Sequence, residues 1–437
     1  MTSPKFLFTR IDNSPLIVFR IIFGFLVLME GVGAIFTGWI KRTLIEPQET
    51  FTFIGFEWLQ PLGGNGMYFY YAIMGLLGLL IMVGYKYRWS IFAFTLMWTA
   101  TYLMQKSSYN NHYYLLILLS GIMAIVPANR FLSVDVKLNP SLKKRSMPNW
   151  CRWIFVLQMF IVYTYAMIAK LYPDWLDASV PKLLMAPKSD FVIVGDLLQE
   201  RWVHYAIAYV GIFFDGLIVP LLLWKRTRKY AFIGSIFFHL FNSFIFHIGI
   251  FPYMSLGLCV FFFPPKTIQK IFFPKQEYFE PVVGEKPRYY KPAIAILTAY
   301  FIVQILLPLR HWAIKGDVLW TEEGHRLSWR MMLRSRSGNT TFKLVNTKTN
   351  DSIPIKLSDF LTSKQRRSVS TKPDVMWQFA QRLKRHYAQE GIEIKVFVDS
   401  KVSVNGGPHW QLIDPKVDLA NVPWDHFRHN DWILLPN

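Results

Sequence analysis

Long apolar runs recur along this chain so regularly that little else is left to build a core. Nine stretches, near residues 15–40, 65–84, 89–105, 110–127, 150–171, 202–224, 230–247, 249–264 and 292–308, approach the length a helix needs to cross a hydrocarbon layer. Inside lipid every backbone N–H and C=O must find its partner within the protein, so such runs fold as helices. The eighth is short and is expected to pair with the seventh as a broken or re-entrant hairpin. A content of 52 % hydrophobic and 17 % aromatic residues agrees with this reading. The fold class expected is a polytopic α-helical membrane bundle of about nine spans. The first run is too long for a signal-peptide core and lacks a small-residue cleavage site, so it reads as a retained anchor.

The charges between the runs set the orientation. The net charge of +20 invites a nucleic-acid reading, but the basic residues fall in short clusters between apolar runs, as in cytoplasmic membrane loops. Lys5 and Arg10 precede the first run. Lys86 and Arg88 follow the second, Arg130 to Arg152 surround the fourth and fifth, Lys225 to Lys229 follow the sixth, and Lys266 to Lys275 follow the eighth. Strict alternation puts all of these on one side. The opposite loops carry Glu46, Glu49, Glu57, Asp174, Asp177, Asp190, Asp196 and Glu200. The positive-inside rule then predicts a cytoplasmic N-terminus and an extracytoplasmic C-terminus. Cys151 and Cys259, the two cysteines, lie in or beside spans, which argues against a disulfide framework.

After Leu309 the composition turns polar, which divides the chain into a membrane part, 1–308, and a small extracytoplasmic α+β domain, 309–437. FKLVNTKTNDSIPIKL reads as two strands about an Asn-Asp turn, and IEIKVFVDSKVSV alternates as a strand does. Between them Lys372-Pro373-Asp374 opens a helix whose stripe is Val375, Met376, Phe379, Leu383 and Tyr387.

Polar residues inside apolar runs are the candidates for chemistry. Lys170 closes the run CRWIFVLQMFIVYTYAMIAKL. A lysine there snorkels, pairs or gives up its proton, and a neutral amine is a competent general base. No acid lies one turn before it, at Ala166 or Met167, and the nearest acid in sequence, Asp174, stands beyond Pro173. These neighbours predict an amine with no buried acid at its side, kept neutral by burial unless Asp174 pairs with it. His112 opens the fourth run within SYNNHYYL, and His239, Asn242 and His247 punctuate the seventh. Alternation places Lys170, His112 and His247 in the outer leaflet, with His239 roughly 12 Å deeper along its helix. Each also has a structural reading, as an interfacial anchor or an interhelical hydrogen bond. Asp215 is either functional or the partner of a basic residue, and Glu30 has no partner that the sequence identifies. The histidines lack zinc-ligand spacing, and no phosphate loop, nucleotide fingerprint or Ser-His-Asp arrangement is present.

SYNNHYYL, YAMIAKLYPDW, FHLFNSFIFHIGIFPY, SWRMMLRSRS, LIDPKVD and DWILLPN, in this order, resemble vitamin K-dependent gamma-glutamyl carboxylase, with an HTTM-type membrane domain. In that family a reduced naphthoquinone is oxidised by O2 to its epoxide, a strong base arises, and CO2 adds to a deprotonated peptide glutamate. The resemblance implies that Lys170 deprotonates the quinol and that His112 assists at the carbanion or carboxylation step. It implies a cofactor site made of Asn111, His239, Asn242 and Phe251. Its partners would be the lipid bilayer, a lipid-soluble quinone and a Glu-containing peptide or protein, with no nucleic acid. The rival readings are a quinol epoxidase without peptide carboxylation and a non-catalytic membrane scaffold that binds a peptide. A transporter lacks the inverted repeat that would support it.

Overall fold

The computed structural model describes residues 4–283 and 287–436. The helices of the apolar region are α1 (Ser14–Phe36), α2 (Gly66–Val83), α3 (Tyr87–Met104), α4 (Asn111–Ile125), α5 (Trp150–Ile168), α6 (Arg201–Leu223), α7 (Arg228–Phe246), α8 (Phe251–Leu258) and α9 (Tyr290–Ala313). Six of them, α1, α2, α5, α6, α7 and α9, are long and apolar enough to cross a membrane. The expectation of about nine therefore resolves into six full-length spans and three weaker helices. In α3, Arg88, Trp89, Ser90 and three threonines dilute an 18-residue helix. The fourth and eighth runs give short apolar helices, Asn111–Ile125 and Phe251–Phe261. Residues 111–125 begin only after an Asn110 cap, whose side chain accepts from Tyr113 N, and residues 251–261 start after a left-handed His247 breaks the chain.

Helices α1 and α2 approach so closely that side chains are excluded. A methyl on Gly24 would lie 2.4 Å from Met82 N, and one on Gly78 would lie 2.5 Å from Leu28 N. Without a hydrophobic drive in lipid, such small-residue contacts are how helices associate. By contrast, only 11 % of the apolar window of α9 is buried, so it stands at the margin of the bundle.

The loops segregate in space as their charges segregate in sequence. At one end β1 (Arg10–Asp12) pairs antiparallel with β2 (Ser146–Pro148), a two-stranded ribbon absent from the sequence reading. There Arg152 donates to Phe261 O at 2.6 Å, Arg228 donates to Leu222 O at 2.8 Å, and Arg88 donates to Ala124 O. The arginines thus satisfy carbonyls that helix ends leave open. At the other end the acidic loops meet the C-terminal region.

That region is α+β. Strands β3 (Arg336–Asn346), β4 (Ser352–Ile353), β5 (Ile394–Val404) and β6 (Trp410–Gln411) form an antiparallel sheet in the order β4-β3-β5-β6. The turn after Asn346 ends on left-handed Asn350, in the Asn-Asp segment the sequence marked. Helix α10 (Ser363–Val369) carries a Thr362/Gln365 capping box, a short element missed in the sequence, and α11 (Pro373–Gln389) packs beside the sheet. Val375, Met376, Phe379 and Leu383 of α11 are buried with Leu344, Val396 and Val398. Helix α9 runs through the expected 308/309 boundary to Ala313.

Buried charge pins the two regions together. Asp374, at the start of α11, sits 2.6 Å from Lys106 of the membrane part and 2.7 Å from Arg326. Burial alone would raise its carboxyl, but Arg326 and Lys106 outweigh burial and hold it well below the usual carboxylate range. Burial brings Lys106 down to about 8 against the pull of Asp374. Glu322 is likewise held low, with Arg334, His325 and Arg336 overriding burial. Asp374→Asn leaves two buried cations short of counter-charge, and a loss of about 3–5 kcal/mol in stability is expected. Because both carboxyls titrate below their unfolded values, they contribute their full stabilisation above about pH 4–5 and lose it as pH falls toward their folded values. Thermal unfolding of purified protein should therefore show a midpoint that drops below that pH, and less steeply in Asp374→Asn.

Candidate active site

Lys170 lies just past the end of α5, where Pro173 prevents the helix from continuing. Its side chain turns back along the helix, and Nζ donates to Ala166 O at 3.1 Å and to Asp215 Oδ2 at 2.5 Å. Trp175 offers its ring 5.6 Å from the same nitrogen. This corrects the expectation of an amine with no buried acid beside it. Asp215 comes from the middle of α6, and packing of α6 on α5 makes the pair. Asp174 does not compete, since its carboxylate accepts from Asn405 at 2.9 Å.

His112, at the second position of α4, stacks on Phe251 with ring centroids 4.2 Å apart. Phe251 begins α8, and its other side meets His239 of α7 at 5.9 Å. The break at 247–250 folds α8 against α7, so the deeper histidine and the phenylalanine of the outer turn come into contact. Tyr163 of α5 lies 3.0 Å from His239 Nε2.

A cavity of about 510 Å³ joins these groups, and Lys170, Asp215, His112, His239, Asn242 and Phe251 all line it. The rest of its wall is largely apolar, with Phe214, Phe237, Phe238 and Phe246 among aliphatic side chains. A few convergent polar groups in an apolar chamber of this volume suit a small, mostly apolar ligand. His247 lies outside the lining, packed on Phe191 at 6.2 Å.

Asn111 is placed differently from the other candidate ligand residues. It is buried, accepts from Tyr109 Oη at 2.7 Å and donates to Arg330 O at 2.9 Å. It thereby ties α4 to a segment that the sequence singled out only by resemblance, 327–333. Three non-glycine residues there, Leu327, Trp329 and Met332, have positive φ values of 63°, 56° and 53°. Such backbone persists only where its surroundings hold it. Trp329 stacks on Tyr114 at 4.9 Å, Leu327 N donates to Tyr109 Oη at 2.7 Å, and Tyr172 Oη donates to Leu333 O. The result is that Met331 and Met332 close the apolar cavity on the side of the α+β region.

Beyond them lies a second cavity of about 500 Å³ with a very different wall. His112, Met331 and Met332 line both chambers. Around the second stand Asn111, Arg330, Arg334, Arg336 and Lys372. His112 is thus the titratable side chain common to an apolar chamber in the helices and a cationic one at the α+β region.

Comparison with known families decides what this arrangement belongs to. The HTTM domain model matches residues 8–266, more than half of the chain, and the model for the vitamin K-dependent gamma-carboxylase lumenal domain matches residues 289–437. The chain belongs to the vitamin K-dependent gamma-carboxylase family. No solved structure matches it. The two matches abut the two architectural parts, helices and α+β region, and they support a membrane protein whose C-terminal region is of the lumenal kind. Family membership also implies vitamin K as cofactor. The sequence reading missed the Lys170–Asp215 pair, the Tyr163–His239 contact and the two methionines. Asp215 was visible as an acid in an apolar run, but nothing in the sequence paired helices 45 residues apart.

Proposed function

We propose that this protein is a membrane gamma-glutamyl carboxylase that couples oxidation of a reduced naphthoquinone to carboxylation of peptide glutamate. The carrying observation is the pair of chambers that meet at His112, one apolar with Lys170 and Asp215, the other cationic. In this reading residues 1–308 hold the quinone and residues 309–437 face the peptide.

The apolar chamber fits a naphthoquinone ring, with Phe251, His239 and Asn242 as its contacts. When bound, the reduced quinone supplies through its reaction with O2 the base that removes a glutamate γ-proton, and CO2 then adds to that carbon. Lys170 Nζ and Asp215 Oδ2 stand 2.5 Å apart, close enough for one proton to pass between them. In a site of low dielectric the charged and the neutral arrangements of such a pair approach each other in energy. With the proton on Asp215, Nζ is free to accept another from a quinol hydroxyl. The pair then carries one positive charge, opposite the anion it has created. Asp215 therefore positions the amine and takes its proton. His112, on the wall between the chambers, reaches the glutamate carbon from the cationic side. Asn111 keeps His112 in register by tying its helix to Arg330.

The direct test is incubation of purified protein with reduced vitamin K, labelled bicarbonate and a Glu-containing peptide. Label in the peptide and epoxide in the lipid extract are expected together. Epoxide without label would turn the reading into a quinol epoxidase, and neither product would leave a scaffold. The orientation has its own test. With the N-terminus cytoplasmic, protease added to the cytoplasmic face should spare the region after Leu309, whereas digestion there would invert the arrangement.

A further inference from the structure

The cationic chamber carries more positive charge than one substrate carboxylate would use. Among the described residues six cations, Arg330, Arg334, Arg336, Lys364, Arg367 and Lys372, line it, and no carboxylate does. The nearby acids are already engaged. Arg334 grips both oxygens of Glu322, and Arg336 stands 3.5 Å from the same group. Asp374 is taken by Lys106 and Arg326. Some donors are also left over. Arg330 Nε and Arg336 Nε and Nη2 are buried with no acceptor among the described residues. Burial, against the attraction of Glu322, brings Lys372 down to about 8, which marks a cation short of counter-charge. A partly buried surplus of this kind is costly unless an anion relieves it.

The chamber shares His112, Met331 and Met332 with the apolar one, so whatever it holds lies next to the reacting centre. Carboxylation turns a side chain with one carboxylate into one with two on the same carbon. Four acceptor oxygens and two charges relieve more of this surplus than two oxygens and one charge. We propose that the cationic chamber is a subsite for a geminal dicarboxylate, the malonate-type head of a carboxylated glutamate, and that it prefers this dianion to the single carboxylate of the substrate. The inference rests on the carboxylase reading for its place in the reaction. It makes the site one that retains product, so that release of the dianion, helped by competing anions, becomes a step of its own.

The experiment uses the full chain in lipid nanodiscs and needs no turnover. Malonate and propionate are titrated separately by calorimetry at matched ionic strength. Malonate is expected to bind at least roughly tenfold more tightly, the effect of a second charge among partly buried cations. Lys372→Met should weaken malonate about tenfold and propionate less than about threefold, and Lys372→Arg should restore the preference. Should Lys372→Met fail to fold, as judged by its thermal midpoint, exposed Arg367→Met tests the same wall. Equal affinities for the two acids, or a malonate preference untouched by changes at both positions, would overturn the proposal. Peptide carboxylation is measured in parallel. Malonate preference without carboxylation would remove the carboxylase reading and leave the dianion site, and carboxylation without malonate preference would do the reverse.

Discussion

Replacement of Lys170 by alanine or by arginine is expected to abolish epoxide formation and carboxylation together, with losses of roughly a thousandfold or more. Arginine is the severe substitution. It keeps the charge and can still face Asp215, so insertion and thermal stability should stay near those of the parent, but it does not deprotonate in a protein. Strongly alkaline pH should not rescue it. An arginine variant that retained a tenth of the activity would reduce Lys170 to an anchor or a charge partner. Asp215→Asn separates two ways in which the lysine could serve. If Lys170 acted alone as an amine kept neutral by burial, loss of the acid would leave turnover intact. The 2.5 Å contact argues for the pair, so a loss of about a hundredfold is expected, with epoxide measured chromatographically at saturating quinol.

At His112 the expected loss is selective. His112→Ala should lower labelled CO2 incorporation by about a hundredfold while epoxide formation changes by less than about threefold. His112→Phe preserves an aromatic ring against Phe251, whose centroid lies 4.2 Å away, and removes both ring nitrogens. It should therefore reproduce the alanine result. Equal loss of both products in the phenylalanine variant would assign His112 to quinone binding instead.

Which of these features the sequence could show depends on how local their causes are. A helix that crosses lipid is dictated by its own composition, so α1, α2, α5, α6, α7 and α9 were readable, and α11 was readable from its apolar stripe. Where Asn110 caps α4 and a left-handed His247 interrupts the chain, helix length was set by single residues, so the count of about nine exceeds the six helices long and apolar enough to cross. Lys170, His112, His239 and Asn242 were legible as candidates because polar groups stand out in apolar runs, and Phe251 only through the resemblance. Their common cavity required the packing of α4 to α8 and was not. Asn111 carried the same motif signal, yet its amide is spent on Tyr109 and Arg330. Arg334 and Arg336 entered the sequence reading only as part of SWRMMLRSRS, and it took the fold to turn them toward one chamber.

The wall of the apolar chamber contributed by α6 and α7 has a further consequence. Val210 and Phe237, which line it, are 56 % and 71 % exposed, and both belong to membrane-crossing helices. In a bilayer that rim would face acyl chains rather than water. For a ligand that arrives by this side, the concentration the protein samples is moles per mole of lipid. Diluting the membrane with inert phospholipid at constant total quinol should then slow a subsaturated reaction, while adding aqueous buffer should not. An apparent KM expressed per litre would drift with every change of nanodisc or vesicle, and one expressed as a mole fraction would hold.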